Sequence, residues 1–317
     1  MIYTSRIGPL ADDLRQRSIP VTDDLNDIAD PPDIVHGHHS LETMAALLRF
    51  ANAPGLFVCH DAFAWHDFAP IFPRLYRYVA VDRACYDRMN LNNGIASSKI
   101  ELIQNGVDLR RFKTRGPLPK RLGRALLISN YSRRSDYDLI RTACDSQGIT
   151  LDAAGRHFEN VLQNPEHTLG NYDLVFAKGR CAWEALAVGT TVVVCDQGSC
   201  GPLVRSQDLQ YFAECNFGRR LLNEPLSVDR VIEQLRRYDP YDASEVSRVI
   251  RQRADLCGIV EQLLSLYHDV IAEHRSRQPR PEQEFEAASR FIQWWSSERV
   301  RQARKRERKR RPDAVIK

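Results

Sequence analysis

Two groups of residues in this chain of 317 have the types and spacing that could do chemistry. His36, His38 and His39 are close together, and His60, Asp61, His66 and Asp67 form a second run. Imidazoles and carboxylates in loops beyond strands can position or polarise a reacting group, or ligate a transition metal. The other group lies in Asp173 to Asp196, DLVFAKGRCAWEALAVGTTVVVCD, which reads as strand, glycine turn, short helix and a second buried strand. Gly179 permits a tight turn with close backbone approach, and Gly189 stands where a helix stops. Glu184 on the short helix offers an ionised carboxylate to hydroxyl groups beside a phosphate-sized cavity. Cations for a phosphate are at hand in Lys178 and Arg180, and in Arg133 and Arg134 of SNYSRRSD. Gly155-Arg156 is a weaker candidate.

These residues need strands and helices to hold them. Asp33–His36, Leu56–His60, Tyr78–Asp82 and Ile100–Gln104 are short apolar runs ending in polar groups, with a helix expected over Leu41–Phe50. After Pro117 and Pro119, which mark a linker, strands are expected at Ala125–Ser129, Leu151–Ala154, Leu174–Phe176 and Thr191–Cys195. Helices such as Asp136–Gln147 separate them. Such alternation predicts an α/β protein with parallel sheets, whose ligands bind beyond the carboxyl ends of the strands. The expected domains are residues 1–119, residues 120–275 and a helical basic tail, 276–317.

Several motifs carry a resemblance. Glu184, followed by Ala185, Leu186, Ala187, Gly189, Val192 and Val193, resembles the nucleotide-sugar-binding half of retaining GT-B glycosyltransferases of family four (glycosyl transferases group 1). That family's pattern is an acidic residue, seven residues, glutamate, then A-M-A-x-G-x-P-V-V. Pro32-Asp33-Ile34-Val35-His36-Gly37-His38 is similar to its P-D-V-V-H-x-H, and Phe57-Val58-Cys59-His60-Asp61 to its strand ending in histidine. Ile103-Gln104-Asn105-Gly106-Val107-Asp108 with Phe112 is similar to I-P-N-G-V-D and R-F at the interdomain junction. The motifs keep the family order from about Pro32 to Val204.

The resemblance implies a GT-B-like fold of two Rossmann-like domains, and transfer of a sugar, with retention, from a nucleotide diphosphate-sugar to a glycan or lipid-linked acceptor. It implies that His60 positions or polarises the reacting groups and that Glu184 holds the nucleotide's ribose. By charge and backbone N–H groups rather than by the family pattern, Lys178, Gly179, Arg133 and Arg134 are the candidates for the diphosphate, and His38, Asp61 and Asn105 are candidates for the sugar or acceptor side. Closure across Asn105–Pro119 would exclude water. No cofactor or metal is expected beyond the nucleotide-sugar co-substrate.

Two departures qualify this reading. The first acidic residue of the pair falls at Phe176, whose ring cannot accept hydrogen bonds as a carboxylate does. Tyr3 to Arg17 resembles the family's first helix and Ser18-Ile19-Pro20-Val21 the phrase after it, so that the first strand and glycine-rich loop are expected to be missing. Both departures motivate an alternative, a catalytically degenerate GT-B protein that binds a nucleotide, glycan or partner. A metal-dependent hydrolase built on the histidine cluster is a further alternative, although no second half with ligand spacing accompanies it.

Composition fits two domains, with 43% hydrophobic residues and no apolar run near the roughly 20 residues that span a bilayer. The N-terminus lacks the basic-then-apolar order of a secretory signal, which points to the cytoplasm. Eight cysteines show neither C-x-x-C nor zinc-ligand spacing and read as reduced, mostly buried thiols. The net charge of +4 hides an asymmetry, because Arg299 to Arg311 carries +8 and the remainder −4. Phe285, Ala288, Ile292 and Trp295 recur at helical spacing ahead of that run. Trp294 and Trp295 beside the basic run suit an anionic membrane surface, at which the protein would be peripheral. They equally suit a helix docked on the first domain. No recognition motif accompanies the charge, so nucleic acid is not an expected partner.

Overall fold

The structure, a computed structural model, describes residues 1–310. Arg311 and the rest of the expected tail lie outside the described residues. By packing, the chain divides into one unit of residues 1–80, 85–102 and 264 onward, and another of residues 81–84 and 103–263. The borders expected at 119/120 and 275/276 therefore fall inside the second and first units respectively.

The chain starts with strand β1 (Ile2–Tyr3), helix α1 (Leu10–Gln16) and β2 (Val21–Thr22). The helix expected from Tyr3 begins only at Leu10, and Ile2–Tyr3 instead forms a two-residue strand paired in parallel with β2 in a two-stranded sheet of its own. Tyr3 is extended because its neighbour Ile2 exchanges backbone hydrogen bonds with the chain around Pro20, a partner that local propensity does not see. There follow β3 (Val35–Gly37), α2 (Ser40–Arg49), β4 (Gly55–Cys59), β5 (Leu75–Ala80), the short α3 (Arg83–Asp87) and β6 (Ile100–Leu102). The last four strands form a parallel sheet in the order β3-β4-β5-β6. Every residue of β4 is buried, as befits a parallel strand covered on both faces.

The second unit holds β7 (Arg124–Ile128), α4 (Arg134–Ser146), β8 (Thr150–Ala154), α5 (Pro165–Thr168), β9 (Leu174–Ala177), α6 (Gly179–Val188) and β10 (Thr191–Asp196). After these come β11 (Ser199–Leu203), α7 (Leu209–Glu214), β12 (Glu224–Pro225), α8 (Val228–Leu235) and α9 (Pro240–Arg253). The sheet order is β12-β11-β10-β9-β7-β8, parallel except for β11, which runs antiparallel to both of its neighbours, β10 and β12. Alternate residues of the strands feed two cores. Leu126, Val175, Ala177, Val192 and Val194 pack with Trp183 of α6 and Val246 of α9. Leu127, Phe176, Val193 and Cys195 pack with Ile140 of α4 and Val231 of α8. Six of the eight cysteines are buried, and none forms a disulfide.

Helix α10 (Leu256–Ser276) enters the first unit at Leu264, and α11 (Pro281–Arg310) follows. The expected stripe on α11 is out of register. Ala287, Ala288 and Phe291 are buried, whereas Phe285 and Ile292 are exposed. Trp294 stacks on Phe68 at 4.4 Å and Trp295 tilts against Trp65 at 4.6 Å, so both tryptophans dock on their own unit. The register is set by Glu284, which receives the Nε and Nη2 of buried Arg74 at 2.7 and 3.1 Å.

The same guanidinium donates to the carbonyl oxygens of Leu47, Phe50 and Ala53, closing the end of α2 against β5. Removing it would leave three buried acceptors and a carboxylate without their donor, the kind of loss that costs about 3–5 kcal/mol. Arg74→Ala is expected to lower unfolding stability by that amount in urea, with Arg74→Lys recovering only a minor part of it. A loss under about 1 kcal/mol would show that this hub is solvated rather than structural.

Candidate functional site

In a parallel sheet every strand ends on the same side, so the residue after each strand joins one edge. In the first unit, β3 and β4 are neighbours and their successors meet. His38 Nδ1 lies 2.7 Å from His60 Nε2, with the rings stacked 4.9 Å apart. His36 Nδ1 bonds the Tyr267 hydroxyl. Burial lowers His36 and His38 to about 4, the neighbouring imidazole adding to the effect in each, and lowers His60 as well. The trio is therefore neutral at pH 7, able to share hydrogen bonds but weakly basic.

Asp61 is placed beside His60, but its carboxylate serves the turn. Oδ1 accepts the amides of Phe63 and Ala64 at 2.7 and 3.1 Å. Asp67, which is buried, accepts the amides of His60 and Asp61 on Oδ2 at 3.2 and 2.8 Å. Burial raises its carboxyl, while His39, His66 and the two amides pull it down.

In the second unit the corresponding edge gathers Ser129 after β7, Gly155 after β8, Lys178 after β9 and Asp196 at the end of β10. Lys178 Nζ pairs with Asp196 Oδ2 at 2.8 Å and stands 5.2 Å above the Tyr131 ring. Ser129 donates to Asp196 Oδ1 at 2.5 Å and accepts the amides of Tyr131 and Ser132 on its hydroxyl oxygen. A Cβ at Gly155 would lie 1.9 Å from the Ser129 carbonyl oxygen, so only glycine lets β8 end this close to β7. Gly179 opens α6 with φ +56° and hands its amide to the Phe217 carbonyl at 3.2 Å. The N-terminus of α6 adds its partial positive charge to this edge.

Glu184 is buried on α6 rather than on a helix surface, and Arg180 Nε donates to its Oε1 at 2.7 Å. Burial raises this carboxyl, and Arg180 opposes the rise. Phe176 is fully buried in the α4 and α8 core. Because α6 starts at Gly179, only Lys178 separates strand from helix, and counting back from Glu184 lands inside the strand instead of in a loop. The position expected to carry the first carboxylate is therefore a core site in this chain.

The structure brings the remaining sequence candidates to other places. Arg133 is exposed just ahead of α4, its amide held by Asp136 Oδ2 at 2.9 Å. Arg134 turns along its own helix to Asp138 and Tyr137. Asn105 lies in the second unit, donating to Asn216 Oδ1 at 3.0 Å, an oxygen that also accepts the Trp183 indole N–H at 2.7 Å. Sequence reasoning missed Ser129 and Asp196 as site residues, although each closes an apolar strand with a polar group. It also missed Asn216, whose left-handed backbone (φ 53°) falls in no periodic element.

Residues 3–111 match the family profile "Glycosyltransferase Family 4". A glycosyltransferase structure from Rickettsia africae ESF-5 superposes with a TM-score of 0.60 at 14% identity, covering 85% of this chain and 90% of that one. The fold is that of the GT-B glycosyltransferases. Staphylococcus aureus TarM, solved as a variant with fondaparinux, alpha-GlcNAc-glycerol and UDP, matches at 0.50 and 12% identity over 77% of this chain and 57% of its own. The pneumococcal O-GlcNAc transferase GtfA, solved with UDP and GlcNAc, matches at 0.50 and 11% over 78% and 58%. No curated protein sequence matches the chain at a significant level. Among the described residues no helix is long and apolar enough to cross a membrane.

His36 yields a pH test in this GT-B chain. An unfolded chain takes up a proton near the ordinary histidine value of 6.5, and the folded one only near 4. Between those values the unfolded state holds more protons, so this contribution to stability is complete above pH 6.5 and is lost as pH falls toward 4. The C–H resonances of His36 are expected to stay in the neutral form at pH 5.5, and His36→Gln to flatten the fall in urea midpoint between pH 7 and 5. Titration of His36 near 6.5 would contradict the burial assigned to it.

Proposed function

We propose that this protein transfers a sugar from a nucleotide diphosphate-sugar to a glycan or lipid-linked acceptor, with retention at the sugar carbon. The observation that carries the reading is the second unit's edge. There a lysine at the strand-to-helix turn and the start of α6 stand at the carboxyl ends of parallel strands, and the same helix carries the buried Glu184. Glu184 accepts hydrogen bonds from the ribose hydroxyls, its charge held by Arg180. Lys178, the α6 N-terminus and exposed Arg133 face the diphosphate and stabilise its charge as it departs. Asp196 and Ser129 hold the lysine head in place, and part of its charge is already balanced by Asp196. In the first unit the neutral His38–His60 pair presents hydrogen bonds to the sugar or acceptor hydroxyl. Its lowered basicity suits positioning better than full proton removal.

The family profile over residues 3–111 and the GT-B fold support the transferase class. The nucleotide and sugars in the TarM and GtfA structures support UDP and glycans as the first ligands to test. The basic residues that follow Trp295 on α11 would meet an anionic lipid surface if the acceptor is lipid-linked. A second reading, binding without turnover, draws on Phe176, because the family's first carboxylate has no place in this core.

Calorimetric titration of UDP and GDP into the protein and into Glu184→Gln tests the donor assignment. One nucleotide is expected to bind, and the substitution to weaken it by about 1.5–3 kcal/mol, the scale of a hydrogen bond to a charged group. Failure of the folded protein to bind either nucleotide would sink the reading. Binding with no transfer or hydrolysis from the matching sugar donors would select the second reading.

A further inference from the structure

Beside the His38–His60 pair, the first unit holds a second cluster that the proposed reaction does not use. Asp67 lies in the 3-10 turn Trp65–Asp67 and is only 2% exposed. One of its carboxylate oxygens is spent on the amides of His60 and Asp61, and the other, Oδ1, is buried and accepts no hydrogen bond. A buried charged oxygen without a donor is costly and uncommon. The groups that face Oδ1 are imidazoles. His39 Nε2, just before α2, stands 3.8 Å away, beyond hydrogen-bond range, and the His66 ring meets the His39 ring edge-on at 4.7 Å. One donor atom from each of His39, His66 and Asp67 lies within 4.8 Å of the others.

We infer that His39, His66 and Asp67 form a binding site for a divalent transition-metal ion. Ligand atoms bonded to zinc at about 2.0–2.2 Å stand about 3.4 Å apart in a tetrahedral set. The observed spacing, 4.8 Å at most, therefore needs a contraction of up to about 1.4 Å between donors, which the two exposed imidazole rings supply by turning about their side-chain bonds. Other nearby histidines are committed elsewhere, His36 to Tyr267, and His38 and His60 to each other. Two nitrogens and one carboxylate oxygen select zinc, cobalt, nickel, iron or manganese over magnesium and calcium, which take oxygen sets. Three protein ligands leave a coordination position for water or an exogenous oxygen.

The metal gives the orphaned oxygen its partner and ties the start of α2 to the turn at residues 65–67. Because the other oxygen of Asp67 holds the amides of His60 and Asp61, the ion also fixes the loop that carries His60. Metal occupancy thus becomes a means of ordering one strand-end loop, separate from the nucleotide edge of the second unit. The site differs from the hydrolase cluster considered from sequence, since only three of its seven residues take part.

The test uses the full chain, stripped with a chelator and kept reduced, titrated with Zn²⁺ and Co²⁺ by calorimetry. A Cys257→Ser background removes the one thiol that is exposed among the described cysteines. One equivalent is expected to bind in that background, magnesium in excess is expected not to compete, and the ion is expected to raise the thermal midpoint. His39→Gln and His66→Gln are each expected to weaken binding by about tenfold or more and to shrink the thermal shift, since each removes one of three protein bonds. Both rings are exposed, so circular dichroism should show these variants folded. Absence of stoichiometric zinc or cobalt binding, or binding and thermal shift that persist when both histidines are replaced, would overturn the site.

Discussion

Parallel strands all end on one side of their sheet, and that constraint assembles the candidate groups of this chain. Strands such as β4, β9 and β10, buried on both faces, bring a polar residue to the carboxyl edge of their sheet. His38 and His60 meet because β3 and β4 are neighbours. Lys178, Ser129 and Asp196 meet because β7, β9 and β10 are consecutive in the second sheet. The side chains gain geometry from the backbone ladder rather than from one another, so a turn of one or two residues suffices to present them.

The short turn after β9 shows how far such an edge can depart from a family pattern while keeping its logic. With α6 starting at Gly179, the chain has no loop in which to place a carboxylate ahead of the helix, and Phe176 completes the hydrophobic layer instead. The helix itself keeps a carboxylate in Glu184, buried and balanced by Arg180. The basic group at the turn is balanced in turn by Asp196. Charge compensation of this kind keeps ions in a half-buried edge without a ligand, and it moderates the field that a diphosphate would meet.

The first unit is held by polar contacts of long reach. Arg74 joins α2 and β5 to α11 through Glu284, Tyr76 reaches His274, and Arg77 reaches Glu273. These bonds explain why the C-terminal helices belong by packing to the unit at the beginning of the chain. They also place Trp294 and Trp295 against Phe68 and Trp65, where the aromatic pair near the basic run is half-buried in ring contacts within its own unit.

The sequence alone determined the alternation of strands and helices, the polar residue after each strand, the helix bearing Glu184 and the family resemblance. Those are local properties, since a strand buried on both faces must be an unbroken apolar run and a helix stop needs its glycine. The Tyr3 to Arg17 segment and the stripe on α11 were misread because their periodicity fits two assignments. A backbone partner near Pro20 settled the first, and the Arg74–Glu284 ion pair settled the second. Tertiary structure alone decided that Asp67 leaves an oxygen facing His39 and His66, that Ser129 and Lys178 share Asp196, and that Asn105 bonds Asn216. Such meetings depend on strand order and helix register over long sequence separations, and no local pattern of residues encodes them.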